Sequence, residues 1–597
     1  MPNFSGSKGS ARPKRERIAV GPVRLSQLIT TFGPGAIVEL PDYTVLLDSA
    51  DSWYRFRDRK PFELHDPNLE HLLDVDGFFE PPHEETHDAV PTRDIAARRF
   101  PAYHFCPTCG DLKRFWEFPG GKTCRNNHAS TRILPSRFVS ICAGGHLDEF
   151  PYSWWVHNGH PETCKGTGYN LRLEFSDATE GLAGIRVVCK DCGASRTMAN
   201  SLGKGPLRGH ECRGRRPWIH GAEDVECDCE PIGALRTATT VYLPITQSAL
   251  TIPPWSTKLQ QYLSQCWDMT DAIRAHVPES VLASILQEKC NELAQPGEQF
   301  SLEDVLEAIR VRDRDVETFD ADALRRDEYK VLSAGDYQAE DDLHFRTSRS
   351  EVPEEFSHLI SDLVLVNRLR EVLALEGFQR TGMSGRPMPP GNPYSRWLPA
   401  IEMLGEGFFV RLNEEAVWKW EERAQDRYLA MNDRLSDASN TVHTPTMEFS
   451  PRYVLLHTLS HLLIRQLALE SGYNAASIKE RIYSSDDPVE PMAGILLYTS
   501  TSDADGSLGG LVRRGQKELF AQTLQSALDE AVWCSADPVC AESTAQGFNA
   551  LNYAACHACT LLPETSCEVR NCLLDRAAVI GTPEDRSLGF FSDFVED

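Results

Sequence analysis

The sequence has no apolar run long enough to cross a bilayer. Its longest uncharged stretch, Thr237 to Thr257, is rich in Ser and Thr and is interrupted by Pro244, Pro253 and Pro254. No apolar segment follows the basic residues Lys8, Arg12, Lys14, Arg15 and Arg17, so the N-terminus reads as a disordered basic tail rather than a secretory signal. Glycine loops that cradle phosphates are also missing. Neither G-x-x-x-x-G-K-[ST] nor a strand followed by G-x-G-x-x-G occurs, which excludes a recognisable nucleotide-driven motor, and the G-x-S-x-G elbow of serine hydrolases is absent as well. Positive charge is scarce: 61 Lys and Arg face 87 Asp and Glu, a formal net charge of −26. The chain as a whole therefore repels polyanions, and any contact with nucleic acid must come from a local patch or from a partner.

What the sequence does have is cysteine, 18 in all. With neither a signal nor a span, a reducing, cytoplasmic location is expected, and there thiols serve as metal ligands rather than disulfides. A chain of 597 residues exceeds one core and suggests three to five compact units, and 41% hydrophobic with 25% charged residues is an ordinary globular balance. The expected class is α+β and multidomain, a mixed α/β core with β-rich zinc-ribbon lobes and a C-terminal four-cysteine zinc module.

The segments divide by composition. Residues 1–20 form the basic tail and 21–100 an N-terminal α+β region, with a short helix, a Gly33-Pro34-Gly35 turn and a hairpin by Leu47. Residues 101–235 hold most of the cysteines and read as a zinc-ribbon region with two or three metal sites. The segment 236–330 is mainly helical: Leu282, Ile285, Leu286 and Leu293 share a face, and Ser301-x-x-Asp304 offers a capping box. In the mixed α/β region 331–440, the apolar stretch Leu359 to Leu375 is expected to be a helix and Trp397 to Leu412 to form strands. Residues 441–597 form the C-terminal cysteine-bearing module, with a helix over Tyr453 to Leu469 and a strand over Gly494 to Ser500.

Cys106-x-x-Cys109 followed by Cys124-x-x-x-His128 can close a tetrahedron around zinc from two short knuckles. A second set combines Cys189, Cys192 and Cys212 with Cys227 or Cys229, Cys227 being preferred. Between them, Cys142, His146, His157 and Cys164 form a candidate third site or are packed residues. At the C-terminus, Cys556 and Cys559 lie between Cys540 and Cys567, with Cys534 and Cys572 as competing fourth ligands. About three Zn2+ ions follow. Closed four-coordinate sites hold structure and leave no place for a catalytic water, so no catalytic residue is assigned.

Three other patterns invite chemistry. His83-Glu84-Glu85-Thr86-His87 matches the zinc-protease string, but prolines bracket it and no apolar face supports the helix it needs, so an exposed loop is the better reading. His457 and His461 sit one turn apart among leucines and read as core histidines. Asp503-x-Asp505-Gly506 opens like a calcium loop but has Arg514 where a glutamate is required. For nucleic acid the candidate is a cationic strip, Lys204, Arg208, Arg213, Arg215 and Arg216, beside Trp218.

Several stretches carry a family likeness: Ser26 to Gly35, Arg99-Phe100-Pro101, Gly145 to Pro151, Arg215 to Trp218, Arg368 to Val372, Gly405-Glu406-Gly407, Tyr498-Thr499 and Gly506 to Leu511. On these the chain resembles, nearly end to end, the DrmB family of the bacterial DISARM anti-phage defence system. Its C-terminal part, with His457-Thr458-x-x-His461 and Ala555 to Cys559, is similar to a cysteine-bearing module that also terminates some DNA helicases. The resemblance implies a non-catalytic zinc-binding subunit that pairs with a DrmA-like ATP-dependent DNA helicase subunit. Through that complex it would engage foreign DNA and help tell it from modified host DNA. Cys572 departs from the family pattern. The rival readings are a stand-alone zinc-dependent DNA-binding regulator and a metal-dependent hydrolase.

Overall fold

The computed structural model describes residues 20–55, 57–83, 95–126, 128–176, 180–274, 276–294, 298–312, 320–339, 342, 344–381, 385–439, 449–501 and 509–595. Most of the basic tail, Glu84 to His87 of the protease-like string, and Asp503 to Gly506 lie outside these residues. Among the described residues no helix is long and apolar enough to cross a membrane. Helices and strands are mixed throughout, and small β-sheets in the cysteine-rich region accompany one large sheet.

That large sheet has eight strands: β1 (Glu63–Leu64), β2 (Gly77–Phe79), β3 (Leu243–Leu250), β4 (Arg346–Ser350), β5 (Ile360–Gln379), β6 (Trp397–Leu412), β7 (Ile478–Ser485) and β8 (Met492–Thr501). The main order is β3-β5-β6-β8-β7, antiparallel throughout. Two long strands organise it. β5 takes β4 and then β3 along one edge, and β6 takes parallel β2 and then β8 along its free edge.

β5 corrects the helix expected over Leu359 to Leu375. The run mixes leucines with Ile360, Val364, Val366 and Val372, and Leu363 and Val364 bury on opposite faces because layers cover both sides of the sheet. Buried twice over, the segment shows no clean alternation. One face packs against the helices Glu414–Ser439, Pro451–Ser471 and Lys517–Ala531, through Phe408, Val410, Ile482 and Leu497. The other face packs Val366, Phe409 and Leu496 against Tyr329 and Leu332 of the helix Ala321–Ala334.

The helix Pro451–Ser471 starts at Ser450, whose side chain accepts from the Tyr453 N–H, and stops at Gly472 in the left-handed region. Its residues from Arg452 to Ile464 are all buried. Residues 258–334 supply helices, and Ser301 with Asp304 does form a reciprocal cap. In the cysteine-rich part, a six-stranded sheet runs in the order 134–135, 103–105, 111–114, 171–175, 185–189, 195–197. Beside it a three-stranded sheet pairs 138–141 with both 147–149 and 232–235.

Several family stretches meet at one buried cation. Arg380, wholly buried, donates to the backbone carbonyls of Gly35 (2.8 Å), Gly145 (3.0 Å) and Val241, and lies over the rings of Trp218 and Phe378. Gly405 and Gly407 play a different part. A Cβ at either would fall within 2.0 Å of a carbonyl oxygen of β8, so only glycine lets β6 and β8 approach.

Candidate metal centres

Five groups of ligand-type side chains converge among the described residues, three of them with three cysteines each and one with four. The cysteines in them form no disulfide.

Cys106, Cys109, Cys124 and His128 come together as the spacing predicts. Cys106 follows the strand Tyr103–Phe105, and the turn to Asp111–Arg114 carries Cys109. Gly110 makes that turn possible: its φ is +75°, its N–H donates to Cys106 O (2.8 Å), and a Cβ there would meet Leu173 O at 2.1 Å. Gly193, φ +79°, repeats the device after Cys189-x-x-Cys192, its N–H donating to Cys189 O (2.9 Å). Cys106 Sγ lies 3.4 Å from His128 Nε2, and Cys109 Sγ lies 3.8 Å from Cys124 Sγ.

The next eight candidate donors all converge, but in a different partition from the expected one. Cys142, His146, Cys212 and Cys227 form one group, and His157, Cys164, Cys189 and Cys192 form another. The set expected to join Cys189 and Cys192 to Cys212 and Cys227 is thus split. The cause is strand pairing: the strand before Cys142 lies against 232–235, with Ile141 opposite Ile232, and this carries the preceding Cys227 to the Cys142 hairpin. Cys142 Sγ is 3.9 Å from Cys227 Sγ, 3.6 Å from Cys212 Sγ and 3.4 Å from His146 Nδ1. In the inner group, Cys164 Sγ is 3.8 Å from Cys189 Sγ, and Cys192 Sγ is 3.4 Å from His157 Nε2. Cys229 is not among the four donors of the outer group.

At the C-terminus the group is Cys534, Cys540, Cys556 and Cys559. Cys534 Sγ is 3.5 Å from Cys556 Sγ, and Cys540 Sγ is 3.7 Å from Cys559 Sγ. Cys567, expected as a ligand here, is drawn away. Ser566 accepts from the Glu480 N–H and the Glu568 carboxylate accepts from the Ile482 N–H, which ties this segment to β7 instead. Cys567 joins His457, His461 and Glu480 in the fifth group. Cys572 is buried outside all five.

Ligands about 2.3 Å from a tetrahedral zinc stand about 3.8 Å apart, so these sulfur separations fit thiolates sharing one ion and are far too long for a disulfide. Burial pushes the thiols of Cys124, Cys189 and Cys534 up to about 11 each, and neighbouring thiols add to the effect. Such groups become thiolates together only when a cation compensates their charge. The residues present therefore fit zinc.

The cationic strip is largely met by acids. Asp148 accepts from Arg213 (2.6 Å) and Arg215 (3.4 Å), Asp224 lies 3.5 Å from Arg215, and Arg216 donates to Glu223 O. Lys204 is exposed, and the Arg208 side chain, 82% exposed, has Glu230 3.9 Å away.

Two family profiles match the chain. Residues 24–243 match a domain of unknown function, DUF8724, and residues 459–560 match the MrfA Zn-binding domain, a range that includes all four cysteines of the C-terminal group. The DISARM protein DrmB of Bacillus paralicheniformis is 31% identical over 593 residues, covering 93% of this chain and 99% of that protein. The crystal structure of the DUF1998 helicase MrfA bound to DNA aligns at 9% identity with a TM-score of 0.17, over 32% of this chain and 22% of that one.

Proposed function

The chain belongs to the DrmB family of DISARM proteins, and from that premise we propose that it is a non-catalytic, zinc-holding subunit of an anti-phage defence complex. In this reading it pairs with a DrmA-like ATP-dependent DNA helicase subunit in the cytoplasm and helps that complex engage foreign DNA. The observation that carries the proposal is the make-up of the four cysteine-rich groups. Each offers four protein donors, and a four-coordinate zinc so held has no position left for a water to be activated. These groups call for four Zn2+ ions, one more than spacing suggested. Their role is to replace apolar core in small lobes.

Two further features support a partner. The sequence carries no phosphate-cradling loop, yet its C-terminal module matches a profile named for a helicase. A chain of this kind is suited to work beside a motor on another polypeptide. The net charge of −26 agrees, since the DNA path is then mostly the partner's and this chain adds a local patch.

Within the strip, Lys204 and Arg208 are the cations best placed to meet phosphate, while Arg213 and Arg215 are engaged by Asp148. Copurification with the helicase subunit, followed by DNA titration at several salt concentrations, tests the reading. The expected outcome is weak binding by the chain alone and tight binding by the complex. Lys204→Glu with Arg208→Glu should then weaken DNA binding and flatten its salt dependence while the complex stays intact. DNA binding by the isolated chain as tight as that of the complex would favour a stand-alone regulator, and ATP turnover without a partner would refute the proposal.

A further inference from the structure

We propose that His457, His461, Glu480 and Cys567 hold a fifth zinc ion, buried where the helix Pro451–Ser471 crosses β7, and that this ion fastens the C-terminal segment to the central sheet. Two of these residues, His457 and Cys567, lie outside the range matched by the MrfA Zn-binding profile, so the site is separate from the four-cysteine group.

The donors come from three parts of the fold. The helix presents His457 and His461 one turn apart, β7 contributes Glu480, and the loop after Cys559 brings Cys567. His457 Nε2 lies 3.2 Å from Cys567 Sγ and 3.1 Å from Glu480 Oε1, and His461 Nε2 lies 3.5 Å from the same oxygen. All four donor atoms fall within 4.8 Å of one another. Nitrogen and oxygen ligands about 2.0 Å from a tetrahedral zinc would stand about 3.3 Å apart, so the contacts have the right scale.

The hydrogen bonds around the group orient lone pairs inward. His461 Nδ1 pairs with Thr560 O at 3.0 Å and His457 Nδ1 with Leu573 O at 3.3 Å, which places the proton on Nδ1 and leaves each Nε2 as a donor to a metal. Among the described residues, buried His461 Nε2 has no hydrogen-bond partner. A buried nitrogen left in this way, aimed at a carboxylate oxygen, is unfavourable unless a cation lies between them. The anionic donors are braced from behind: Ser460 Oγ donates to Glu480 Oε2, the Glu568 N–H donates to Glu480 Oε1 (3.1 Å), and the Asn571 N–H donates to Cys567 Sγ (3.1 Å). Second contacts of this kind are what hold metal ligands in place.

Charge also selects a divalent ion. One carboxylate, one thiolate and two neutral imidazoles around Zn2+ sum to zero, which suits side chains of His457, His461 and Glu480 that are wholly buried. A mixed set of nitrogen, sulfur and oxygen suits zinc better than a hard cation such as magnesium or calcium. With all four positions taken by protein, the ion is structural.

The test uses the full-length chain purified without chelator. Metal quantification should give five zinc ions in the native protein and four in Cys567→Ala, whereas Cys572→Ala keeps five. Native protein produced in zinc-poor medium supplemented with cobalt gives a second reading that needs no variant. It should hold five cobalt ions, one of them with thiolate-to-cobalt absorption appropriate to a single sulfur. Four equivalents in the native protein, or an undiminished count in Cys567→Ala, would overturn the proposal in favour of a histidine–glutamate ion pair.

Discussion

Arg380 ties together segments that are far apart in the chain. Its three donors satisfy carbonyls from three distant segments, so removing them leaves several buried acceptors unpaired at about 1–3 kcal/mol each. Burial lowers its own affinity for a proton to a pKa of about 9, so the cation is retained at neutral pH. Arg380→Lys should destabilise nearly as much as Arg380→Leu in denaturant titration, because an ammonium cannot reach three carbonyls in the guanidinium plane. Glu149 gives a pH prediction. Desolvation raises its carboxyl to about 7 although the Ala102 and Tyr103 N–H groups favour the charged form. A carboxyl raised in the folded state binds its proton more tightly there, so its contribution is full below the ordinary value near 4.5 and is lost as pH rises through about 7. The melting temperature of the native protein relative to Glu149→Gln should therefore fall between pH 5 and 8. A constant difference would show that this carboxyl titrates normally.

At the scale of elements, knuckles were legible in the sequence and pairings were not. Cys106, Cys109, Cys124 and His128 lie within one local unit, and their spacing alone foretold the group. The two groups that follow depend on which strand lies beside 138–141, a long-range choice that spacing does not contain. The same holds for Cys567, which β7 captures, and for β5, whose twofold burial hid its period. The helix Glu414–Ser439 is not among the elements read from the sequence, although its signal is there. Val417, Trp420, Ala424, Tyr428, Met431 and Leu435 recur at three- and four-residue steps and are buried. The C-terminal group yields a direct check: Cys534→Ser should lower the zinc content by one ion, and Cys572→Ser should leave it unchanged, by metal quantification on the folded proteins.

Across the whole molecule, the large sheet draws strands from four of the six segments that composition suggested, from residue 63 to residue 501. Composition reports where cysteine-rich groups gather, but it does not report which distant segments share a sheet. The two kinds of structure should part under chelation. Zinc removal should open residues 101–235 to protease first, while β5, β6 and β8, held by apolar layers on both faces, resist longer, as limited proteolysis with mass spectrometry would record. The order of ligands along the chain adds a temporal dimension. The group of His157, Cys164, Cys189 and Cys192 is enclosed within that of Cys142, His146, Cys212 and Cys227, so under the zinc reading an inner ion would be captured while the ribosome is still adding the residues that complete the outer group. Once loaded, the inner knot would shorten the tether between Cys142 and Cys227, which stand 85 positions apart, and lower the entropy of closing it. Assembly of this region from the inside outward is written into the nesting itself.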